Sequence, residues 1–245
     1  MSDKLTIANN KLHIVSSGCS FTADGIGGLP PSRSHLTGGC SFVHGDQIPK
    51  SWTGMLAKKM QCNSLVNFAS PSHGNILVSM TIIEALTKYP AYRPTNTLVL
   101  FNLSDPGRLD IACSHTHTDK SNCTSWSEEI LPFSFLLPQS KLHNLMSKNI
   151  GIEQVEIMSQ HAVIALLNFL ENKKFNYRFL MMTDYLNHGI LASVLKNYQH
   201  NLVTLPDSNS IAEYCIANNL TISDNDRHPS QEGHKIIADL VYNTL

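Results

Sequence analysis

Short apolar runs alternate with longer stretches of helical spacing along this chain. "LHIV" (12–15) has buried-strand character and runs into Ser16-Ser17-Gly18. "SWTGMLAKKM" (51–60) opens on a serine suited to capping, then places Trp52, Met55, Leu56 and Met60 at helical intervals. "SLVNFA" (64–69) predicts a second strand and "GNILVSMTIIEALTKY" (74–89) a long amphipathic helix. "TLVLFNL" (97–103) is the clearest buried strand, closed by a turn at "SDPGR" (104–108). Residues 151–172 predict the longest helix. A strand at 177–182, a helix near 186–198, a strand at 201–205 and a helix near 208–218 continue the alternation. A helix within 229–245 closes the chain, with Ile236, Ile237, Leu240 and Val241 on its buried side.

Strand and helix in alternation predict an α/β domain, a parallel sheet with helices on both faces. Crossover connections then gather the loops that follow each strand along one edge of the sheet, where chemistry is expected. Two segments interrupt the pattern as insertions in a single domain spanning 1–245. One is the Gly/Pro-rich stretch 23–50; the other is 106–149, polar and without a strong period from 110 onward.

Composition narrows the function classes. Hydrophobic residues make up 42% of the 245 and charged residues 15%, enough for a sizeable core. Net charge is −1 and no Lys/Arg run exceeds two residues, which argues against an electrostatic grip on nucleic acid or an anionic membrane. No apolar segment approaches the roughly 20 residues of a membrane span. The first residues lack the basic start, apolar run and cleavage site of a signal peptide. Six cysteines (19, 40, 62, 113, 123, 215) are scattered rather than arranged as a disulfide framework. A soluble cytoplasmic protein is the expectation.

The tetrapeptide Gly-Cys-Ser-Phe occurs twice, at 18–21 and 39–42. Serine becomes a nucleophile when a base, usually a carboxylate-held histidine, takes its proton. Ser20 follows a predicted strand, whereas Ser41 sits inside the Gly/Pro-rich loop. "SDNDRHPSQEGH" (223–234) can supply the rest: His228 as base, Asp226 two residues before it, and Asp224 four before it as fallback. Pro229 stiffens the segment. Donors for a developing oxyanion are available as backbone N–H groups near Ser20 and Gly74, with Asn75, Asn102 and Ser104 as side-chain candidates. Arg108, at the same edge, can bind a substrate carboxylate or phosphate, or pair with Asp105 or Asp110.

Plainer roles stand beside these. Ser20 can cap the next element, Gly74 can simply start a helix, Asn102 and Ser104 can be turn residues, and His228 with Asp226 can be a solvated pair. His234 reads as structural. "CSHTHTDKSNC" (113–123) offers Cys113, His115, His117 and Cys123, but C-x-H-x-H-x5-C is not a common zinc spacing, and a polar loop fits better. Cys19 alternates with Ser20 and is expected to face inward as a small hydrophobe.

"SGCSFT" (17–22), "NFASPSHGN" (67–75) and "DRHPSQEGHKIIADLV" (226–241) together resemble the SGNH-hydrolase, or GDSL-type esterase, superfamily. The resemblance covers most of the chain in block order, through short motifs separated by long unmatched stretches. It implies a three-layer α/β/α, flavodoxin-like fold and hydrolysis of lipid, carbohydrate or small acyl esters. Carried over residue by residue, it makes Ser20 the nucleophile, His228 the base, Asp226 its partner and Gly74 the oxyanion glycine. Three positions depart from the family pattern. Cys19 stands where the Gly-Asp-Ser block has aspartate. Ser104 stands where Gly-x-Asn-Asp has its oxyanion asparagine, and losing one good donor typically costs about 2.7–4 kcal/mol of transition-state stabilisation. Asp226 is one residue closer to His228 than the commoner spacing.

The resulting expectation is a cofactor-free and metal-free serine esterase or deacylase. Its partner is a small-molecule or carbohydrate ester; the polarity of the two insertions leans toward a small polar ester or acylated carbohydrate. An acyltransferase on the same scaffold and a binding or assembly protein with weakened catalysis are the alternatives.

Overall fold

The computed structural model describes residues 12–19, 22, 51–69, 73–112, 130–134, 150–186 and 189–245. The predicted insertion 23–50 and most of 106–149 lie outside them, as do Ser20, Ser41, Cys40 and the whole of 113–123.

The sheet is formed by β1 (His13–Ser17), β2 (Ser64–Asn67), β3 (Thr97–Leu103) and β6 (Asn176–Met181), in the order β2-β1-β3-β6. All its pairings are parallel: Ile14 stands beside Leu65 and Leu98, and Phe101 beside Phe179. Two antiparallel hairpins stand apart from it, β4 (Arg108–Ala112) with β5 (Ile130–Ser134), and β7 (Thr221–Ser223) with β8 (Asp226–Pro229). Helices α1 (Trp52–Lys59), α2 (Asn75–Lys88), α3 (Ile152–Lys173), α4 (Gly189–Leu195), α5 (Ile211–Ala217) and α6 (Gln231–Asn243) cover the sheet.

Strand alternation divides the core into two layers. Ile14, Leu65, Leu98, Leu100 and Leu180 pack against Trp52 and Leu56 of α1, Ile211 of α5, and Ile237 and Val241 of α6. Val15, Val99, Phe101, Leu103 and Phe179 face the other way, onto Val78 and Ile82 of α2 and Val163, Leu166 and Leu170 of α3. Phe101 and Phe179 stack at 5.5 Å between ring centroids. Each such fully buried side chain contributes about 1.5–3 kcal/mol, so a strand buried on both faces needs no polar alternation. This is the three-layer α/β/α arrangement with its parallel sheet.

Helix starts follow local chemistry. The Ser51 hydroxyl accepts the Gly54 N–H at 3.2 Å, Ser210 accepts that of Glu213 at 3.3 Å, and Ser230 accepts that of Gly233 at 3.2 Å. Four readings of the sequence change. Residues 108–112 and 130–134 form a hairpin inside what reads as a polar insertion. Residues 221–229 form a second hairpin where a loop was expected. The strand expected at 201–205 is reduced to a single parallel bridge between Leu202 and Phe179. On α6, Ile237, Ala238 and Val241 are buried, while Ile236 and Leu240 only border the core.

Candidate active site

In the order β2-β1-β3-β6 the chain reverses direction across the sheet between β1 and β3. The crevice outside the carboxyl ends of strands at such a reversal is where α/β sheets bind ligands. Four connections open there: Gly18-Cys19 after β1, His73-Gly74-Asn75 ahead of α2, Ser104-Asp105 after β3, and Met182 to Tyr185 after β6.

Asn102, the next-to-last residue of β3, organises the β1 end. Its Oδ1 accepts the Cys19 backbone N–H at 3.2 Å and the Thr22 hydroxyl at 2.5 Å; its Nδ2 reaches Cys19 Sγ at 3.2 Å. Thr22 Oγ1 in turn accepts the Trp52 indole N–H at 3.1 Å, and the Thr22 carbonyl accepts Asn67 Nδ2 at 3.0 Å. The Thr22 N–H closes back on the Cys19 carbonyl at 3.0 Å. Gly18 makes the approach possible: it has φ +157°, and a Cβ there would lie 2.0 Å from Asn102 Oδ1. Cys19 is fully buried, with its Sγ 3.5 Å from Met182 Sδ, as the alternation argument expects. The nucleophile candidate Ser20 lies between Cys19 and Thr22 in sequence and outside the described residues.

Asn75 performs the equivalent task one strand over. Its Oδ1 accepts the Ser104 N–H at 2.7 Å, and its Nδ2 donates to the Ser104 carbonyl at 3.0 Å and to Ser159 Oγ at 2.8 Å. The first residue of α2 is thereby bolted to the residue that follows β3. Gly74 is the N-cap of α2 and contributes no side chain. The Ser104 hydroxyl is buried and has no hydrogen-bond partner. Both asparagine amides are thus engaged with backbone or side-chain groups of the site's own walls.

The candidate acid–base pair, His228 with Asp226, lies on the β7–β8 hairpin. His228 Nδ1 is 2.5 Å from Asp226 Oδ1, which also accepts the His228 backbone N–H at 3.0 Å. Asp224 is exposed in the hairpin turn. Partial burial pushes the Asp226 carboxyl up, but the two His228 hydrogen bonds and the imidazole charge outweigh it and hold the pKa below the ordinary aspartate value. The hairpin is anchored from behind. Leu220, just before β7, accepts the Ser230 N–H at 2.7 Å, and a Cβ on Gly233 would lie 2.7 Å from the same carbonyl. His234 is buried in α6, as a structural histidine should be.

Arg108 starts β4, in a turn where Asp105 Oδ1 accepts the Gly107 N–H at 2.8 Å. It forms no ion pair with Asp105, and its Nη1 is buried without a hydrogen-bond partner. Sequence reasoning passed over three participants at this edge: Thr22, His73 and Tyr185. The signal available for His73 was its place immediately before Gly74 at a helix start. Burial, reinforced by the Arg108 charge, lowers the His73 pKa to about 4, so the imidazole is neutral at pH 7. Among the described residues no group of three or more His, Cys, Asp or Glu side chains is arranged to hold a metal ion. No helix there is long and apolar enough to cross a membrane.

No protein-family model and no curated protein matches the sequence. Solved structures do match the fold. The acetylxylan esterase Axe2 from Geobacillus stearothermophilus is similar over 97% of this chain and 95% of its own, at 10% identity and a TM-score of 0.52. Protein YxiM from Bacillus subtilis is similar over 96% of this chain and 56% of its own, at 13% identity and a TM-score of 0.50. A member of the lipolytic G-D-S-L family from Veillonella parvula is similar at 10% identity and a TM-score of 0.45, over 95% and 97% of the two chains. At these identities the likeness to the first two shows the fold alone, which is the one the sequence motifs imply.

Proposed function

We propose that this protein is a serine hydrolase of carboxylic esters, with Ser20 as nucleophile, His228 as general base and Asp226 as the group that orients it. The observation that carries the reading is the His228–Asp226 hydrogen bond. It engages Nδ1, which makes Nε2 the ring nitrogen assigned to take the serine proton. The G. stearothermophilus acetylxylan esterase, on the same fold, supports the reaction class.

In this reading the Ser20 hydroxyl oxygen attacks the ester carbonyl carbon while His228 Nε2 accepts its proton. The backbone N–H groups of Ser20 and Gly74 stabilise the oxyanion, and the unpartnered Ser104 hydroxyl takes the place of the family's asparagine as third donor. The C–O bond to the alcohol breaks as His228 returns the proton to the leaving oxygen. Water, deprotonated by the same imidazole, then releases the acid. Asn102 and Asn75, whose amides are already bonded, hold the walls of the site. The substrates that fit the reading are small polar esters and O-acylated carbohydrates.

The test is intact-mass analysis after exposure to a fluorophosphonate serine-hydrolase probe. A single adduct is expected on the wild type and on Ser41→Ala, and none on Ser20→Ala. An unlabelled wild type, alongside a labelled control esterase, would remove the activated serine from the account.

A further inference from the structure

The β2, β3 and β6 ends of the sheet hold polar groups that the hydrolytic reading does not use. Arg108 Nη1 and His73 Nδ1 are both buried and both lack a hydrogen-bond partner. They come from different connections, His73 from the one leading into α2 and Arg108 from the turn after β3. The Asn75–Ser104 hydrogen bonds draw those two connections together. Tyr185, from the connection after β6, is buried at the same edge of the sheet. Burial and, after it, the Arg108 charge lower the His73 pKa, and the charges of Asp105 and Arg108 both act on Tyr185. Neither carboxylate on these loops pairs with Arg108: Asp105 Oδ1 accepts the Gly107 N–H, and Asp184 accepts the Leu186 N–H and Asn209 Nδ2. A buried guanidinium nitrogen without an acceptor is unfavourable in the free protein. A structural arginine would have found one.

We infer that Arg108, with the His73 imidazole beside it, forms an anion subsite next to the ester-cleaving centre, and that the favoured substrate is an ester carrying a carboxylate or phosphate. The inference rests on the serine-hydrolase reading for its ester and on the unpartnered Arg108 and His73 nitrogens for its charge. The planar guanidinium presents donors that match a carboxylate or phosphate edge. The neutral imidazole supplies a further N–H in its Nδ1-protonated form. Asp105 forms no ion pair with Arg108 and holds the Gly107 N–H instead, so the guanidinium keeps its capacity for an incoming anion.

The experiment compares kcat/KM for matched pairs of esters. One pair, 4-nitrophenyl hydrogen succinate and 4-nitrophenyl methyl succinate, puts the charge on the acyl side. The other, 3-acetoxybenzoate and its methyl ester, puts it on the alcohol side. The wild type should prefer the charged member of at least one pair tenfold or more, and Arg108→Met should reduce that preference to within twofold, with Arg108→Lys intermediate. Equal rates on both pairs, or a preference that survives Arg108→Met, would overturn the subsite.

A second readout does not depend on turnover. Succinate and inorganic phosphate are titrated separately, with Tm as the signal. At least one should raise the Tm of the wild type and leave that of Arg108→Met unmoved, and which of them does so identifies the anion. Without ligand, Arg108→Met should be at least as stable as the wild type, because no hydrogen bond to Nη1 is lost. An unlabelled wild type with an Arg108-dependent Tm shift would refute the hydrolase and retain the anion site. A labelled wild type without charge preference or shift would do the reverse.

Discussion

The two sides of the proposed triad are held in opposite ways. Cys19 and Thr22, which flank Ser20-Phe21, are fully buried and fastened by residues far away in sequence: Asn102 from β3, Trp52 from α1 and Asn67 from β2. His228 and Asp226 are two residues apart, with side chains 32% and 40% exposed, and are joined by one hairpin. A network built across a sheet ties local geometry to global stability, because each buried donor that loses its acceptor carries its full desolvation cost. A solvated local pair carries chemistry with little effect on folding. Substitutions on the two sides should therefore separate: on the hairpin activity falls and stability stays, whereas in the network both fall.

The largest effect is expected at His228. His228→Gln should lower kcat about a thousandfold or more, while denaturant unfolding stays within about 0.5 kcal/mol of the wild type. Asp226→Asn should cost about a hundredfold, and Asp224→Asn less than twofold, since the imidazole is held by Asp226 while Asp224 stands exposed in the turn. If Asp224→Asn lowers kcat more than Asp226→Asn does, the pairing seen on the hairpin is not the one used in turnover.

On the other side, Asn102→Ala removes the acceptor of both the Cys19 N–H and the Thr22 hydroxyl. Urea unfolding should register a loss of about 2–4 kcal/mol, accompanied by a fall in kcat as the Ser20 segment loses its hold. A loss below about 1 kcal/mol would mean that water replaces Asn102 easily, and the contrast between the two sides would collapse.

The contrast also explains what was legible in the sequence. "TLVLFNL" is apolar at nearly every position, so its burial on both faces and its span of 97–103 could be read directly. The serine ahead of Trp52 announced a helix start, and Ser51 caps one. The Asp226–His228 relation is local and was equally readable. The roles of Asn75 and Asn102 were not. Both look like donors available to substrate, yet each is consumed by a partner 29 or more residues away, and periodicity gives a face rather than a partner. The two hairpins escaped for a different reason. β7 and β8 are three and four residues long with only Pro229 buried, and β5 contains Pro132, which a strand tolerates only at an edge or end. The β7–β8 hairpin carries no apolar run, and in β5 the run Ile130-Leu131 is broken at once by Pro132.

The smallest effect at neutral pH, and the one that probes the wall between the two sides, concerns His73. Its folded-state pKa of about 4 lies below the ordinary 6.5, because burial and the Arg108 charge both disfavour the imidazolium. As pH falls, the unfolded chain therefore takes up this proton first. Stability is complete above pH 6.5 and declines between 6.5 and 4. Between pH 7 and pH 5 the decline from this one residue is about 2 kcal/mol. His73→Gln, which cannot take up the proton, should flatten the pH dependence of unfolding by that amount while changing stability little at pH 7.5. An unchanged acid slope would place the imidazole in contact with water, where it would no longer serve as a dry donor beside Arg108. A slope that flattens in His73→Gln and also in Arg108→Met would show that the guanidinium charge helps keep the imidazole neutral. That coupling is what brings two separate connections of the sheet to bear on one bound anion.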